Sequence, residues 1–296
     1  MRCLVCKSVR IKFKYKINHF DYYLCLSCGS LQLNKIKPYK YSYSSFNYKI
    51  GFQNEKRIRL RACSIITELS KIKKNITSIL DVGCGAGFML DEFKNYSSFP
   101  VGIEPSKSLS AYAKRNFKIQ IYNGYLDSDL IKRINQKFDV VILSHILEHL
   151  SDPLSFLNLV DQILKKAGLI YIETPNINSW QARIEKSKYT FLTPPEHFCL
   201  YTRKGVIDLL NNANLKYVIK KEYTYSDGEH IIGFLRKLKR ILLKENKMIN
   251  KHVVVPKSSN KSSNKNKFDL LFPIIAKRIF NSFFMGSYMA FYIEKK

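Results

Sequence analysis

The chain has 296 residues, 46% hydrophobic and 13% aromatic, enough to bury a full core, which excludes disorder or a small disulfide-stapled scaffold as a description of the whole. Its 50 Lys and Arg against 23 Asp and Glu give +27, a balance that suits nucleic acid, an anionic membrane face or an acidic substrate. The surplus is uneven: residues 1–78 carry +14, residues 79–232 only +1, and residues 233–296 carry +12. Anion-seeking therefore belongs to the two ends, and the middle has to be read from its motifs. No apolar signal-like region follows Met1, and no apolar run approaches the ~18 residues of a bilayer span. A cytoplasmic location is expected, with the seven cysteines reduced.

Cys3-Leu-Val-Cys6 and Cys25-Leu-Ser-Cys28 are two CxxC pairs separated by 18 residues, the pattern by which two knuckles gather four thiolates around one tetrahedral zinc. Four protein ligands leave no open position for an activated water, so the expected site at Cys3, Cys6, Cys25 and Cys28 is structural. Residues 1–38 are read as this zinc module, like a zinc ribbon. Residues 39–78 follow as a connector and first helix. Tyr39, Tyr41, Tyr43, Phe46 and Tyr48 make that connector aromatic, as a packing segment or a wall of the substrate site.

From residue 79 short apolar strands alternate with helical periods. Strands are predicted at 79–82, 101–104, 119–122, 138–143 and 168–173, with amphipathic helices at 86–95, 107–117, 153–166 and 203–213. That alternation predicts an α/β fold with a doubly wound, Rossmann-like sheet. The first strand ends in Asp81-Val82-Gly83-Cys84-Gly85-Ala86-Gly87, where bare backbone lets a ligand approach the start of a helix. The third glycine comes two residues after the second, whereas the dinucleotide fingerprint needs three, and Phe88 occupies that place. Glu104 ends the second strand, 23 residues after Asp81, where a carboxylate can accept bonds from both hydroxyls of a ribose. A nucleoside ligand is expected, and NAD is not indicated.

With these residues in view, the block 79–232 resembles the class I S-adenosylmethionine-dependent methyltransferases. The resemblance extends through Phe138 to Pro153, with its Ser144-His145-Ile146-Leu147-Glu148-His149, and on to Glu173-Thr174-Pro175-Asn176 and Pro195-Glu196-His197-Phe198. It implies an S-adenosylmethionine site made of Asp81, Gly83, Gly85, Gly87, Glu104, Pro105, Asn123, Gly124 and Ser144, with adenine held near Asn123-Gly124. It implies a seven-stranded sheet closed by antiparallel sixth and seventh strands, which fit Lys216 to Glu222 and Tyr288 to Glu294. Cys63, Cys84 and Cys199 read as packing residues, and His149 as a structural histidine bonded to backbone. His145 directly follows a parallel strand, at the carboxyl edge where open sheets bind ligands. Glu196-His197 is similar to the Glu-His pair that sugar C-methyltransferases of this zinc-first build use near the acceptor. That likeness makes His197 the expected general base, oriented by Glu196 or helped by His145.

Residues 233–287 read as a helical insertion before the last strand, 288–296. A basic amphipathic helix, with apolar positions from Ile231 to Leu242 and Arg236, Lys237, Lys239 and Arg240 among them, precedes a Lys/Ser/Asn linker within 256–267. Together with the apolar segment 268–284 it suits either an anionic membrane surface, placing the enzyme on the inner face of the membrane, or a cap or dimer contact. The favoured function is methyl transfer to a nucleotide- or lipid-linked sugar in cell-surface polysaccharide assembly. A ribosomal RNA methyltransferase with a zinc module and a non-catalytic zinc scaffold at the membrane face are the alternatives. Nucleic acid is the less favoured partner; no Asn/Asp-Pro-Pro-Tyr/Phe loop follows the fourth strand, which excludes only base-amino methylation of that style.

Overall fold

The structure, a computed structural model, describes residues 1–34, 54–97, 99–213, 216–226 and 285–296. The aromatic stretch Tyr39 to Tyr48, the basic helix of 231–242, the linker 256–267 and the segment 268–284 lie outside the described residues. Three strands open the chain: β1 (Ile11–Ile17), β2 (Phe20–Cys25) and β3 (Leu31–Leu33). Helix α1 (Glu55–Ile72) then leads into β4 (Ser78–Val82), α2 (Phe88–Phe93), β5 (Phe99–Glu104), α3 (Lys107–Phe117), β6 (Gln120–Asn123), α4 (Ser128–Ile134) and β7 (Phe138–Ser144). After a single 3₁₀ turn at Leu147–His149 come α5 (Pro153–Ile163), β8 (Leu164–Pro175), α6 (Trp180–Glu185), β9 (Cys199–Leu200), α7 (Arg203–Asn212), β10 (Tyr217–Tyr225) and β11 (Tyr288–Lys295).

Seven of these strands form one sheet in the order β10-β11-β8-β7-β4-β5-β6. The five from β4 to β8 are parallel, and the order reverses beside β4. Strand β11 pairs antiparallel with both β8 and β10, so β10 runs with the parallel set. This corrects the expectation that the sixth and seventh strands both run antiparallel: β11 alone does. The expected helix 153–166 also ends early, because Leu164 already begins β8. Helix α4, only seven residues long, is too short to show a helical period in sequence.

Strand side chains alternate between the faces, and each face is covered. Ile79, Val140, Ile142 and Tyr171 pack with Ala62, Ile65, Ile66 and Leu69 of α1 and with Leu90 and Phe93 of α2. Leu80, Val141, Leu143, Ile170 and Ile172 pack on the other side with α4, α5 and α7. The spacing 62, 65, 66, 69 is one face of a helix, and each fully buried Ile or Leu there contributes about 1.5–3 kcal/mol. Side-chain caps set the helix starts: Asp152 accepts from the Ser155 N–H beside Pro153 at the first helical position, and Thr202 accepts from the Gly205 N–H.

The N-terminal strands form a second sheet, and a later segment completes it. β3 pairs with β9, giving the order β1-β2-β3-β9. The Tyr22 hydroxyl donates to the His197 carbonyl at 2.9 Å, and the Thr202 hydroxyl donates to the Cys28 carbonyl at 2.5 Å. Residues 1–34 are therefore docked onto the core through the chain on either side of Cys199. No helix among the described residues is long and apolar enough to cross a membrane.

Candidate functional site

The carboxyl ends of β4 to β8 carry the side chains singled out from sequence, at the edge where open α/β sheets bind ligands. Asp81 and Glu104 are 4% and 3% exposed. Glu104 accepts from the Gly85 N–H through one carboxylate oxygen and from the Ser106 N–H through the other, both at 2.8 Å. This clips the glycine loop onto the end of β5. Among the described residues no basic side chain reaches Asp81 or Glu104. Burial, with Glu104 beside it, pushes the Asp81 carboxyl up to about 8, and burial also raises Glu104 against the pull of its two backbone bonds.

Gly85 has φ +55 and Gly124 φ +146, and a Cβ at either would meet nothing within 4 Å. Backbone is thus left bare on both sides of Glu104, facing open space. Gly87 serves packing instead: a Cβ there would lie 2.8 Å from the Cβ of Ala113, so the glycine lets α3 lie against the loop. The Asn123 side chain turns back to donate to the Glu104 and Pro105 carbonyls at 2.8 and 3.1 Å, shaping the loop end. Cys63 is partly exposed, while Cys84 and Cys199 are buried, as packing residues are.

Next to this edge lies a second cluster. His145 follows β7 with φ +56, a left-handed conformation uncommon outside glycine, and its N–H is held by the Glu173 carbonyl at 2.9 Å. Its ring is clamped between two acids, Nδ1 at 3.1 Å from Glu148 and Nε2 at 3.3 Å from Glu173. Desolvation works against the charged ring, but bonds to Glu148 and Glu173 outweigh it and push His145 up to about 10. Glu148 is correspondingly brought down to about 2, despite its burial, by its bond to His145 and by the charge of that ring. At neutral pH His145 is a cation and a hydrogen-bond donor; it has no lone pair with which to take a proton.

Glu173, the last acid of β8, is the hub. Arg61 of α1 grips it with Nε at 2.8 Å and Nη2 at 2.7 Å, and the hydroxyls of Tyr171 and Tyr225 donate to it as well. The Arg61 guanidinium also lies 4.2 Å from the Tyr225 ring centroid. Burial opposes ionisation of Glu173, yet Arg61 and His145 hold its carboxyl far below the usual carboxylate range. Arg61, Ser144, His145, Glu173, Tyr225 and Tyr288 line a cavity of about 110 Å³. No sequence pattern marks Arg61, which is one of several basic residues in an amphipathic helix. The one available signal for Glu173 is an acid at the end of an apolar run, at a strand edge.

His197 and His149 face each other, ring centroids 4.8 Å apart. His197 Nδ1 is oriented by the Phe191 carbonyl at 2.7 Å, and the Glu196 main-chain carbonyl, at 2.9 Å, orients His149 Nδ1. Burial lowers His197, keeping the ring neutral with a lone pair at Nε2. His149 is thus bonded to backbone as expected, while the orienting group found at His197 Nδ1 belongs to Phe191.

The four N-terminal cysteines converge. Cys3 and Cys28 sulfurs are 3.7 Å apart, Cys6 and Cys25 sulfurs 3.5 Å apart, and all four lie within 4.8 Å of one another. A tetrahedron with bonds of about 2.3 Å has sulfur–sulfur edges of about 3.8 Å, so the quartet has the size of a structural metal site. Beside it a groove of about 980 Å³ runs between β1, α6 and α7, lined in part by Lys14, Arg183, Lys186, Arg203 and Lys204.

Comparison with known proteins bears on this site. The ubiquinone biosynthesis O-methyltransferase of Ruegeria sp. (strain TM1040) is 27% identical over 175 residues, 53% of this chain and 71% of that protein. That of Bradyrhizobium sp. (strain ORS 278) is 28% identical over 158 residues, 51% of this chain and 55% of that protein. Among solved structures, a SAM dependent methyltransferase from Archaeoglobus fulgidus superposes with a TM-score of 0.51 at 19% identity, covering 84% of this chain and all of that one. The plantazolicin methyltransferase BamL, solved with a triazolic desmethylPZN analog and SAH, gives 0.52 at 16% identity, covering 86% and 90%. At these identities the structural likeness is one of fold. Residues 54–220, more than half of the chain and including the glycine loop, Glu104, His145 and Glu173, match the family described as methyltransferase domain, and the chain belongs to that family.

Proposed function

We propose that the protein transfers a methyl group from S-adenosylmethionine to a hydroxyl of a phosphate-bearing sugar, nucleotide-linked or lipid-linked, in cell-surface polysaccharide assembly. The observation that carries the reading is the buried pair Asp81 and Glu104, without a basic partner among the described residues, beside bare backbone at Gly85 and Gly124. S-adenosylmethionine fits such a site: it brings a sulfonium and an ammonium to buried acids, and a ribose whose hydroxyls suit Glu104. When bound, it supplies the methyl group to be displaced. Asp81 and the glycine loop hold its methionine end, Glu104 the ribose, and the Asn123-Gly124 backbone borders the adenine.

The chain's remaining task is to place the acceptor in line and dispose of its proton. Protonated His145, both of its N–H groups committed to Glu148 and Glu173, borders the acceptor cavity as a fixed positive charge that favours the developing oxyanion. His197 Nε2 takes the proton, since its ring is neutral and its Nδ1 is already committed. The groove lined by Lys14, Arg183, Lys186, Arg203 and Lys204 suits the phosphates of the acceptor. The cysteine quartet holds zinc, which keeps β1 to β3 folded against β9 and so sustains this wall.

The relatives' names favour a second acceptor class, a phenolic hydroxyl. Calorimetry with S-adenosylmethionine, followed by transfer assays with nucleotide-sugars, polyprenyl-phosphate sugars and small phenols, separates the readings. Micromolar cofactor binding with turnover of a phosphorylated sugar supports the first, turnover of phenols alone replaces it with the second, and absence of cofactor binding overturns both.

A further inference from the structure

We infer that Glu148, His149 and His197 form a binding site for a divalent transition-metal cation, separate from the cysteine quartet. One ligand atom from each of the three lies within 4.8 Å of the other two. Both imidazoles have Nδ1 on a main-chain carbonyl, His149 on Glu196 at 2.9 Å and His197 on Phe191 at 2.7 Å. A carbonyl accepts only from N–H, so each ring's lone pair is left at Nε2. Metal-bound histidines are held in the same way, the second nitrogen donating to a carbonyl or carboxylate that fixes tautomer and ring angle.

The carboxylate is held with equal care. Glu148 is 1% exposed and accepts from the Thr174 hydroxyl at 2.9 Å through Oε2 and from His145 Nδ1 at 3.1 Å through Oε1. Each oxygen keeps a further lone pair. His197, 49 positions further along the chain, is brought to this turn by the Phe198 N–H on the Glu148 carbonyl at 2.8 Å and by Tyr22 of the N-terminal sheet on its own carbonyl at 2.9 Å. Two imidazoles and one carboxylate make a donor set suited to zinc, iron or cobalt, and poorly suited to magnesium or calcium, which prefer oxygen.

Three protein ligands leave a position open, as in catalytic rather than structural zinc sites. Glu148 links the triad to His145, which lines the cavity, so a cation held by the triad would stand one side chain away from an acceptor in that cavity. This last step rests on the proposed methyl transfer; the cation site does not. A bound cation would lower the pKa of a coordinated hydroxyl, and His197 would then serve as a ligand, with the base role reserved for the metal-free protein.

The test is metal stoichiometry on the full chain, without catalysis. Equilibrium dialysis against zinc followed by elemental analysis is expected to give two equivalents per wild-type chain and one in His197→Gln or His149→Gln. The loss of affinity for the second zinc should exceed about 100-fold, because even outer-shell partners cost about 10- to 100-fold. Cobalt loading of the wild-type chain gives a second readout that needs no variant. Thiolate charge-transfer bands report the cysteine site, and an additional set of visible bands lacking thiolate character, appearing with the second equivalent, reports the triad. One equivalent of zinc in the wild-type chain, or a cobalt spectrum of thiolate type only, overturns the inference and leaves His197 as the base of the proposed methyl transfer.

Discussion

Two pairs of buried carboxylates stand at the same edge of the same sheet with their acidities shifted in opposite directions. Asp81 and Glu104 have backbone and each other for company, and burial raises both. Glu148 and Glu173 are as deeply buried, yet Arg61, His145 and donated hydroxyls hold both ionised. The difference lies in the partners supplied by the fold, since desolvation is comparable on the two sides. Glu148 and Glu173 have their counter-charges built in, which makes them a rigid platform. Among the described residues Asp81 and Glu104 have none, which makes them the place where a cationic ligand gains most.

Arg61→Leu breaks the comparison most severely. It leaves Glu173 buried with its main counter-charge gone, and stability in urea should fall by about 3–5 kcal/mol, with the melting temperature down even where cofactor binding survives. Asp81→Asn should act with the opposite sign on the ligand-free protein. The native Asp81 keeps its proton up to about pH 8 whereas the unfolded acid releases it near 4, so the wild type loses stability as pH rises through that window. Asparagine does not titrate. The variant should therefore be more stable than wild type at pH 9, by roughly 5 kcal/mol at about 1.4 kcal/mol per pH unit of that window, with little difference at pH 4, and S-adenosylmethionine affinity should drop at least ~10-fold. Wild-type binding at pH 7 should release protons, seen as a buffer-dependent heat; a heat independent of buffer would deny that Asp81 meets the cofactor's charge.

The smallest effect sharpens the platform. His145 is raised from about 6.5 to about 10, so its contribution to stability is complete below 6.5 and fades as pH climbs to 10. Its ring is 41% exposed, which screens the effect. His145→Gln should flatten the alkaline side of the stability profile measured by thermal melts between pH 6 and 10, and an unchanged slope would show that the clamp carries no net charge.

The glycine-loop half of the site was legible in the chain because it is local. Asp81, Gly83, Gly85, Gly87 and Glu104 sit on consecutive strand and loop positions, and strand ends force them together. The histidine half was legible only as residue types. Its contacts join positions 61, 145, 148, 173, 197 and 225, from α1, the turn after β7, β8, the approach to β9 and β10, and nothing in strand or helix periodicity encodes which of these meet. The orienting partners of His149 and His197 are main-chain carbonyls, which every residue has, so no side-chain pattern could announce them.

What short-range pattern alone carries is the run of parallel strands β4 to β8, the bare backbone after β4, the acid at the end of β5 and the four cysteines at matched spacing, because each depends on local periodicity or on residues that few other roles require. Only the tertiary structure decided that β10 runs with the parallel strands, that β9 completes the N-terminal sheet, and which buried acids are charged. Those outcomes turn on long-range pairing and on the counter-charges that packing delivers, such as Arg61 of α1 reaching Glu173 at the end of β8.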